Sequence, residues 1–304
     1  MENVFEQAIS YPDLDYRERF NDLVGLDDYK QRLSKILTLL INPESLESWK
    51  NKYHPEASMV LSSVLKRPPL IVLEGDVGSG KSELASTIGD YVAREEKIDI
   101  TLLPLSLSSR GEGRVGQMTQ LISSAFEETY QRASKLKSSD SKARGAVILL
   151  VDEADALAQS RENSQMHHED KAGVNAFIRG VDRLGNGKVP AAVIMCTNRL
   201  NSLDPAIKRR AAEILKFQRP NEDQRRQVLN APLSELGFNK SQIEKIVELT
   251  GNCDSRDYGF TFSDLIQRLV PSIVLQAFPD SKVNPEDSIE LIKEMKPTKP
   301  FNEA

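Results

Sequence analysis

From residue 70 to residue 217 the chain alternates short, evenly apolar runs with longer stretches whose apolar positions recur at helical spacing. The runs at 70–73, 100–105, 147–151, 192–196 and 214–217 are too short and too uniformly apolar for surface helices. They read as strands buried on both faces. Helices are expected between them, at 82–94, 117–136 and 171–181 among others. Strand and helix in strict alternation predict an α/β fold with a five-stranded parallel sheet covered on both sides. Gly185-Asn186-Gly187-Lys188 reads as a turn before the fourth strand.

The strand signal stops after Pro220. Asn221 with Gln224 three residues on forms a capping-box pattern that opens a helix through Val228 and Leu229. A second helix is expected at 241–249. A third starts at Thr261 and Asp264, with Leu265, Leu269, Ile273 and Val274 on its apolar face and a kink at Pro271. A short one covers 287–295. The organisation read from the pattern is an N-terminal extension (1–19), a large α/β domain (20–219), and a small all-helical domain with a C-terminal tail (220–304).

Composition narrows the class. With 39% hydrophobic and 28% charged residues, 304 residues suffice for a proper core. No run of roughly eighteen apolar residues appears, so no membrane span is expected. The N-terminus has neither a basic region nor an apolar run, which speaks against a secretory signal. Cys196 and Cys253 make no framework and no metal pair; both are expected to be buried, in a reducing cytoplasm. A net charge of −5 and a pI near 5.5 advertise no nucleic-acid surface.

Chemistry concentrates at the ends of the first and third predicted strands. Gly75-Asp76-Val77-Gly78-Ser79-Gly80-Lys81-Ser82 follows an apolar strand and runs into a helix, the full P-loop pattern in its proper context. Its glycines let successive N–H groups turn inward toward phosphate oxygens, and the helix N-terminus adds partial positive charge. Lys81 is expected to reach the β- and γ-phosphates of ATP, and Ser82 to bind Mg²⁺. Glu83 follows in the same helical turn. The third strand ends in Asp152-Glu153, which aims two carboxylates at the crevice of an open sheet. Asp152 is placed to hold Mg²⁺ and Glu153 to orient and deprotonate the attacking water.

The P-loop together with Asp152-Glu153-Ala154-Asp155 resembles the AAA+ family, over about residues 20–278. Phe20-Asn21-Asp22-Leu23-Val24-Gly25-Leu26 is similar to its adenine-covering segment, which implicates Val24 and Gly25. Asn198, after the fourth strand, resembles the sensor-1 residue that contacts the γ-phosphate or the lytic water. Leu203-Asp204-Pro205-Ala206-Ile207-Lys208-Arg209-Arg210 is similar to the region carrying the arginine finger, with Arg210 the first candidate and Arg209 the alternative or partner. The resemblance implies a homo-oligomeric ring, expected to be a hexamer, in which each subunit completes its neighbour's site. At the sensor-2 position stands Ser263 or Leu265, neither able to pair with phosphate; Arg268 lies one turn on.

Within that family, Leu105-Ser106-Leu107-Ser108-Ser109, Val174-Asn175-Ala176-Phe177 and Asp204…Arg210-Ala211 resemble the pachytene-checkpoint-type remodelers of HORMA-domain proteins, especially short bacterial ones. The likeness implies a protein substrate, a HORMA-domain protein and through it a CD-NTase, in antiphage signalling. It also implies a pore loop at 108–114, which here has Arg110 and Arg114 but no aromatic residue. A second loop at 161–170 carries His167 and His168, read as loop residues for want of a third ligand. Few residues precede the ATPase core, so substrate choice is expected to rest on ring surface or pore. Two competing readings remain: a clamp- or helicase-loader type that works on DNA, disfavoured by the acidic balance, and a scaffold that scarcely hydrolyses ATP, disfavoured by the retained Asp152 and Glu153.

Overall fold

The computed structural model describes residues 4–107, 116–137, 143–157, 167–199, 201, 203–253 and 256–301. The expected pore loop at 108–114 and residues 161–166 of the second loop lie outside the described residues. The chain forms two compact units. The first takes residues 1–21, 28–74 and 82–216; the second takes 22–27, 75–81 and 217–304.

The first unit is built on a six-stranded sheet: β1 (Ile9–Tyr11), β2 (Leu70–Gly75), β3 (Asp99–Ser106), β4 (Gly145–Asp152), β5 (Ala191–Thr197) and β6 (Ala211–Phe217), in the order β1-β3-β4-β5-β2-β6. The five expected strands are present, and β3–β4, β4–β5 and β2–β5 pair in parallel. The sixth corrects the sequence reading, which left residues 1–19 as an extension. β1 pairs antiparallel with β3, Ile9 opposite Leu102 and Tyr11 opposite Ile100. Three residues are too few for an alternation to show. Tertiary contacts fix the strand: Tyr11 is buried, its hydroxyl donates to the Ser86 carbonyl on α5 (Lys81–Glu96), and Asp13 N–H donates to Asp90 Oδ1 at 2.7 Å. Pairing β1 onto β3 also protects what would be an open sheet edge.

Four helices, α1 (Leu14–Asp22), α2 (Asp27–Ile41), α3 (Glu44–Tyr53) and α4 (Ser58–Leu65), precede β2, and α6 (Gln117–Leu136) and α7 (His167–Gly187) follow β3 and β4. Leu70, Val72, Leu149, Val151 and Val193 bury against α6 and α7, where Phe126 and Phe177 meet edge to face at 5.2 Å. Their strand neighbours Ile71, Leu73, Ile148 and Ile194 are fully buried too. Burial on both faces is what the uniform apolar runs anticipated. Three local readings are corrected. The Gly185-Asn186-Gly187 stretch is the last turn of α7, ended by Lys188 at φ 48°, and His167 and His168 open the same helix. Cys196 is buried as expected, but Cys253 is exposed, where its backbone forms an isolated bridge with Arg256. Among the described residues no helix is long and apolar enough to cross a membrane.

After α8 (Pro205–Lys208) in the first unit, the helices of the second are α9 (Glu222–Glu235), α10 (Lys240–Leu249), α11 (Val270–Ala277) and α12 (Pro285–Glu294). The predicted capping box forms with both bonds at 2.9 Å between Asn221 and Gln224, and Asn239 with Gln242 repeats it on α10. Just before Pro271, where a kink is expected, the chain runs through a π-helical turn over Asp264–Leu269 into α11. The wider turn makes room for a ring that would otherwise clash with the preceding turn. Leu265, Leu269 and Ile273 are buried, whereas Val274 is 37% exposed and lies at the margin of the apolar face. Asp264 is fully buried at the head of this turn. Burial alone would raise its pKa. The N–H groups of Thr261 and Thr298, the Thr298 hydroxyl and Arg268 outweigh that and hold the carboxyl below the usual aspartate range.

Candidate nucleotide site

Between β2 and α5 the chain turns through three glycines at positive φ: Gly75 at 155°, Gly78 at 76° and Gly80 at 92°. Two of them are required by close approach as well. A Cβ on Gly75 would lie 2.3 Å from the Phe217 carbonyl oxygen, and one on Gly78 2.7 Å from Thr261 Oγ1. Lys81 is 6% exposed and curls back over the loop, donating from Nζ to the carbonyls of Gly75 and Asp76 at 2.8 Å each and to Ser79 Oγ at 3.3 Å. Val77 is half exposed. Asp76 accepts from Arg219 Nε at 2.8 Å.

Residues 22–26 of the segment resembling the adenine cover belong to the same compact unit as residues 75–81 of this loop. Gly25, at φ 81°, gives its carbonyl to Gln224 Nε2 at 2.7 Å and lies close against Phe262, while Val24 is exposed. Ser263 N–H donates to the Gly78 carbonyl at 3.1 Å. At the position where a sensor-2 arginine is expected, Leu265 is core and Ser263 donates to Gln267. Arg268 is committed to Asp264 at 2.6 Å and the Lys296 carbonyl at 3.3 Å.

In the first unit, parallel pairing brings the ends of β3, β4 and β5 to one sheet edge. Ser82 Oγ donates to Asp152 Oδ1 at 3.1 Å. The same oxygen accepts Glu153 N–H at 2.9 Å. A hydroxyl and a carboxylate this close form an all-oxygen donor pair, the kind Mg²⁺ takes while keeping waters and phosphate oxygens for its other positions. Glu153 sits at φ 52°, unusual for a residue with a side chain, and its carboxylate accepts from Ser106 Oγ at 3.5 Å. The Glu83 side chain is paired with Arg19, at 2.7 and 2.9 Å.

The sequence pattern alone gives Asp155 no role. In the structure Asp155 is the clamp for Asn198. It accepts from the Thr197 hydroxyl, from Asn198 N–H at 3.0 Å and from Asn198 Nδ2 at 3.0 Å. One amide hydrogen of Asn198 is thereby fixed and the other is left to point elsewhere. Only the adjacency of β4 and β5 reveals this, because 43 residues separate the partners. Asp155→Ala is expected to lower the ATP turnover rate about 10²-fold through misplacement of Asn198, with little change in KM. Steady-state phosphate release against ATP concentration measures it, and an unchanged rate would remove Asp155 from the site.

Of the two arginines, Arg210 is held. Its Nε and Nη2 pair with Asp182 at 2.7 and 3.0 Å, and Nη1 donates to the Ala206 carbonyl at 3.2 Å. Arg209 is exposed and without a side-chain partner among the described residues. Asp182 is a second residue to which the sequence gave no role.

A mostly parallel sheet with a P-loop after one strand and paired acids after another defines a P-loop ATPase. Residues 71–219 match the model of the "ATPase family associated with various cellular activities (AAA)". The chain belongs to the AAA ATPase family. It is 60% identical over 301 residues to CD-NTase-associated protein 6 of Escherichia coli (strain MS 115-1), covering 99% of this chain and 97% of that protein. Its structure is similar to a chain of the E. coli MS115-1 HORMA:CdnC:Trip13 complex, with a TM-score of 0.91 at 59% identity over 98% of this chain and 97% of that one. It is also similar to Rhizobiales Trip13, with a TM-score of 0.78 at 56% identity over 97% of this chain and all of that one.

Proposed function

We propose that this chain hydrolyses ATP within a homo-oligomeric ring, expected to be a hexamer, to remodel a HORMA-domain protein and so disassemble its complex with a CD-NTase. The observation that carries the substrate assignment is near-full-length likeness, at 59% identity, to a chain solved within a HORMA:CdnC:Trip13 complex.

The geometry of each part supports the following residue roles. The backbone N–H groups of Gly75, Asp76, Val77, Gly78, Ser79, Gly80, Lys81 and Ser82 bind the phosphates, with Glu83 N–H in the following turn. Lys81 gives up its carbonyl partners for phosphate oxygens, and Val24 and Gly25 cover the base. Ser82 and Asp152 hold Mg²⁺, which when bound neutralises charge on the phosphates. Glu153 accepts the proton of the attacking water, and Asn198, clamped by Asp155, orients that water or the γ-phosphate. Arg210, with Arg209 beside it, reaches the nucleotide of the next subunit. The cytoplasm is the compartment in which this chemistry is expected, away from any membrane and with a protein rather than a nucleic acid as the expected substrate.

The test uses a purified complex of the cognate HORMA-domain protein with its CD-NTase. Adding this chain with ATP and Mg²⁺ is expected to separate the two on gel filtration, and the Glu153→Gln variant is expected to leave them together. A complex that survives the active enzyme would reject the substrate assignment.

A further inference from the structure

The chain's last described segment, residues 296–301, does not run free; it is fastened at four points within the second unit. Thr298 N–H and Oγ1 donate to the two carboxylate oxygens of buried Asp264, at 2.9 and 2.8 Å. The Lys296 carbonyl accepts from Arg268. The Thr298 carbonyl accepts from Arg219 Nη1 at 2.9 Å. Phe301 N–H donates to Asp76 Oδ1 at 3.2 Å. The final contact is with the phosphate loop itself.

Arg219 is the junction of this arrangement. Its Nε pairs with Asp76, while its Nη1 serves both the Gly259 and Thr298 carbonyls, and its guanidinium stacks over Tyr258 at 5.0 Å. Its Nη2 is buried without a hydrogen-bond partner among the described residues. A buried donor left unmade is costly. A guanidinium kept in such a place is held for what its other nitrogens touch.

What they touch is the one acidic side chain of a loop whose work is to bind anions. An uncompensated Asp76 would repel the phosphates that the neighbouring N–H groups attract. A loop with three positive-φ glycines is also the segment whose unliganded conformations are most numerous, so ordering it in advance reduces what binding must offset. We propose that residues 298–301, acting through Arg219 and Asp76, form a clasp that neutralises and preorders the P-loop, so that ATP affinity is set in part by the C-terminal segment. This rests on the nucleotide-binding reading of the loop. No part of it involves the reaction's chemical step: Arg219, Thr298 and Phe301 are positioning residues.

Three full-length variants test it. Thr298→Pro removes the N–H and hydroxyl that fasten the segment to Asp264. Arg219→Ala removes the junction, and Arg219→Ala with Asp76→Asn removes the charge that the junction neutralises. Hydrogen exchange of the P-loop amides, measured without nucleotide, is expected to quicken about tenfold in Thr298→Pro and Arg219→Ala. The Kd for ATP with Mg²⁺ is expected to rise about tenfold or more in Arg219→Ala, and the double variant is expected to regain most of that loss. A role confined to holding the helical unit together would not produce the recovery. Unchanged exchange in both single variants, or a double variant no better than Arg219→Ala, would overturn the clasp. If Thr298→Pro fails to fold, the Arg219 and Asp76 pair decides alone. If the unaltered chain binds no ATP, the nucleotide reading fails, and the exchange measurement still tests the clasp.

Discussion

Glu153→Gln is expected to bind ATP as the unaltered chain does and to hydrolyse it about 10²–10⁴-fold more slowly, the span that a positioned general base contributes. The substitution is close to isosteric. The amide oxygen can still accept from Ser106, and the backbone N–H bond to Asp152 is untouched. The unusual φ of 52° at this position is a property of the strand end, where the chain leaves β4 for the turn at Ala154–Leu157, so the replacement keeps the same backbone. What is lost is the ability to take a proton. Phosphate release should fall while retention of labelled ATP persists, and turnover near the normal rate would exclude Glu153 as the base.

Arg210→Ala should cost more, about 10³–10⁵-fold in turnover, if its guanidinium steadies the transferring phosphoryl group. Stability should hardly change. Its pair with Asp182 is partly exposed on both sides, at 30% and 40%, and ion pairs of that kind contribute about 0–1 kcal/mol. The two-point pairing instead fixes the direction of a long side chain. The decisive arm is a mixture with Lys81→Ala. One variant lacks a working finger and keeps its own site; the other lacks the site and keeps its finger. Activity recovered on mixing two inactive proteins would demonstrate action across a subunit boundary. An inactive mixture would argue that Arg210 works within its own chain or only structurally. Arg209→Ala, altering an exposed side chain without a partner, is the natural comparison for which arginine reaches the phosphate.

Much of the fold was legible because burial on both faces leaves an unmistakable mark. Ile71, Leu73, Ile148 and Ile194 sit among equally apolar neighbours, and no helix of that length would be so uniform. Local hydrogen bonding was legible for the same kind of reason, as the reciprocal bonds of Asn221 and Gln224 show. β1 was not, since its pairing depends on Tyr11 finding Ser86 and on β3 offering an edge. The α7 terminus was misread because Gly185-Asn186-Gly187 is turn chemistry by composition yet helix by position. At the site, the loop and the acids declared themselves through spacing. Their supports did not: Asp155 under Asn198, Asp182 beside Arg210 and Arg219 against Asp76 are partners 28 to 143 residues apart, and only the folded chain pairs them.

Calorimetric titration of the purified chain with a non-hydrolysable ATP analogue and Mg²⁺, set beside the same titration of Lys81→Ala, bears most directly on whether the glycine loop is a triphosphate cradle. One analogue bound per chain, with binding abolished or weakened at least a hundredfold in the variant, is the expected result. No heat from the unaltered chain at concentrations that permit self-association, or equal binding by both proteins, would contradict it.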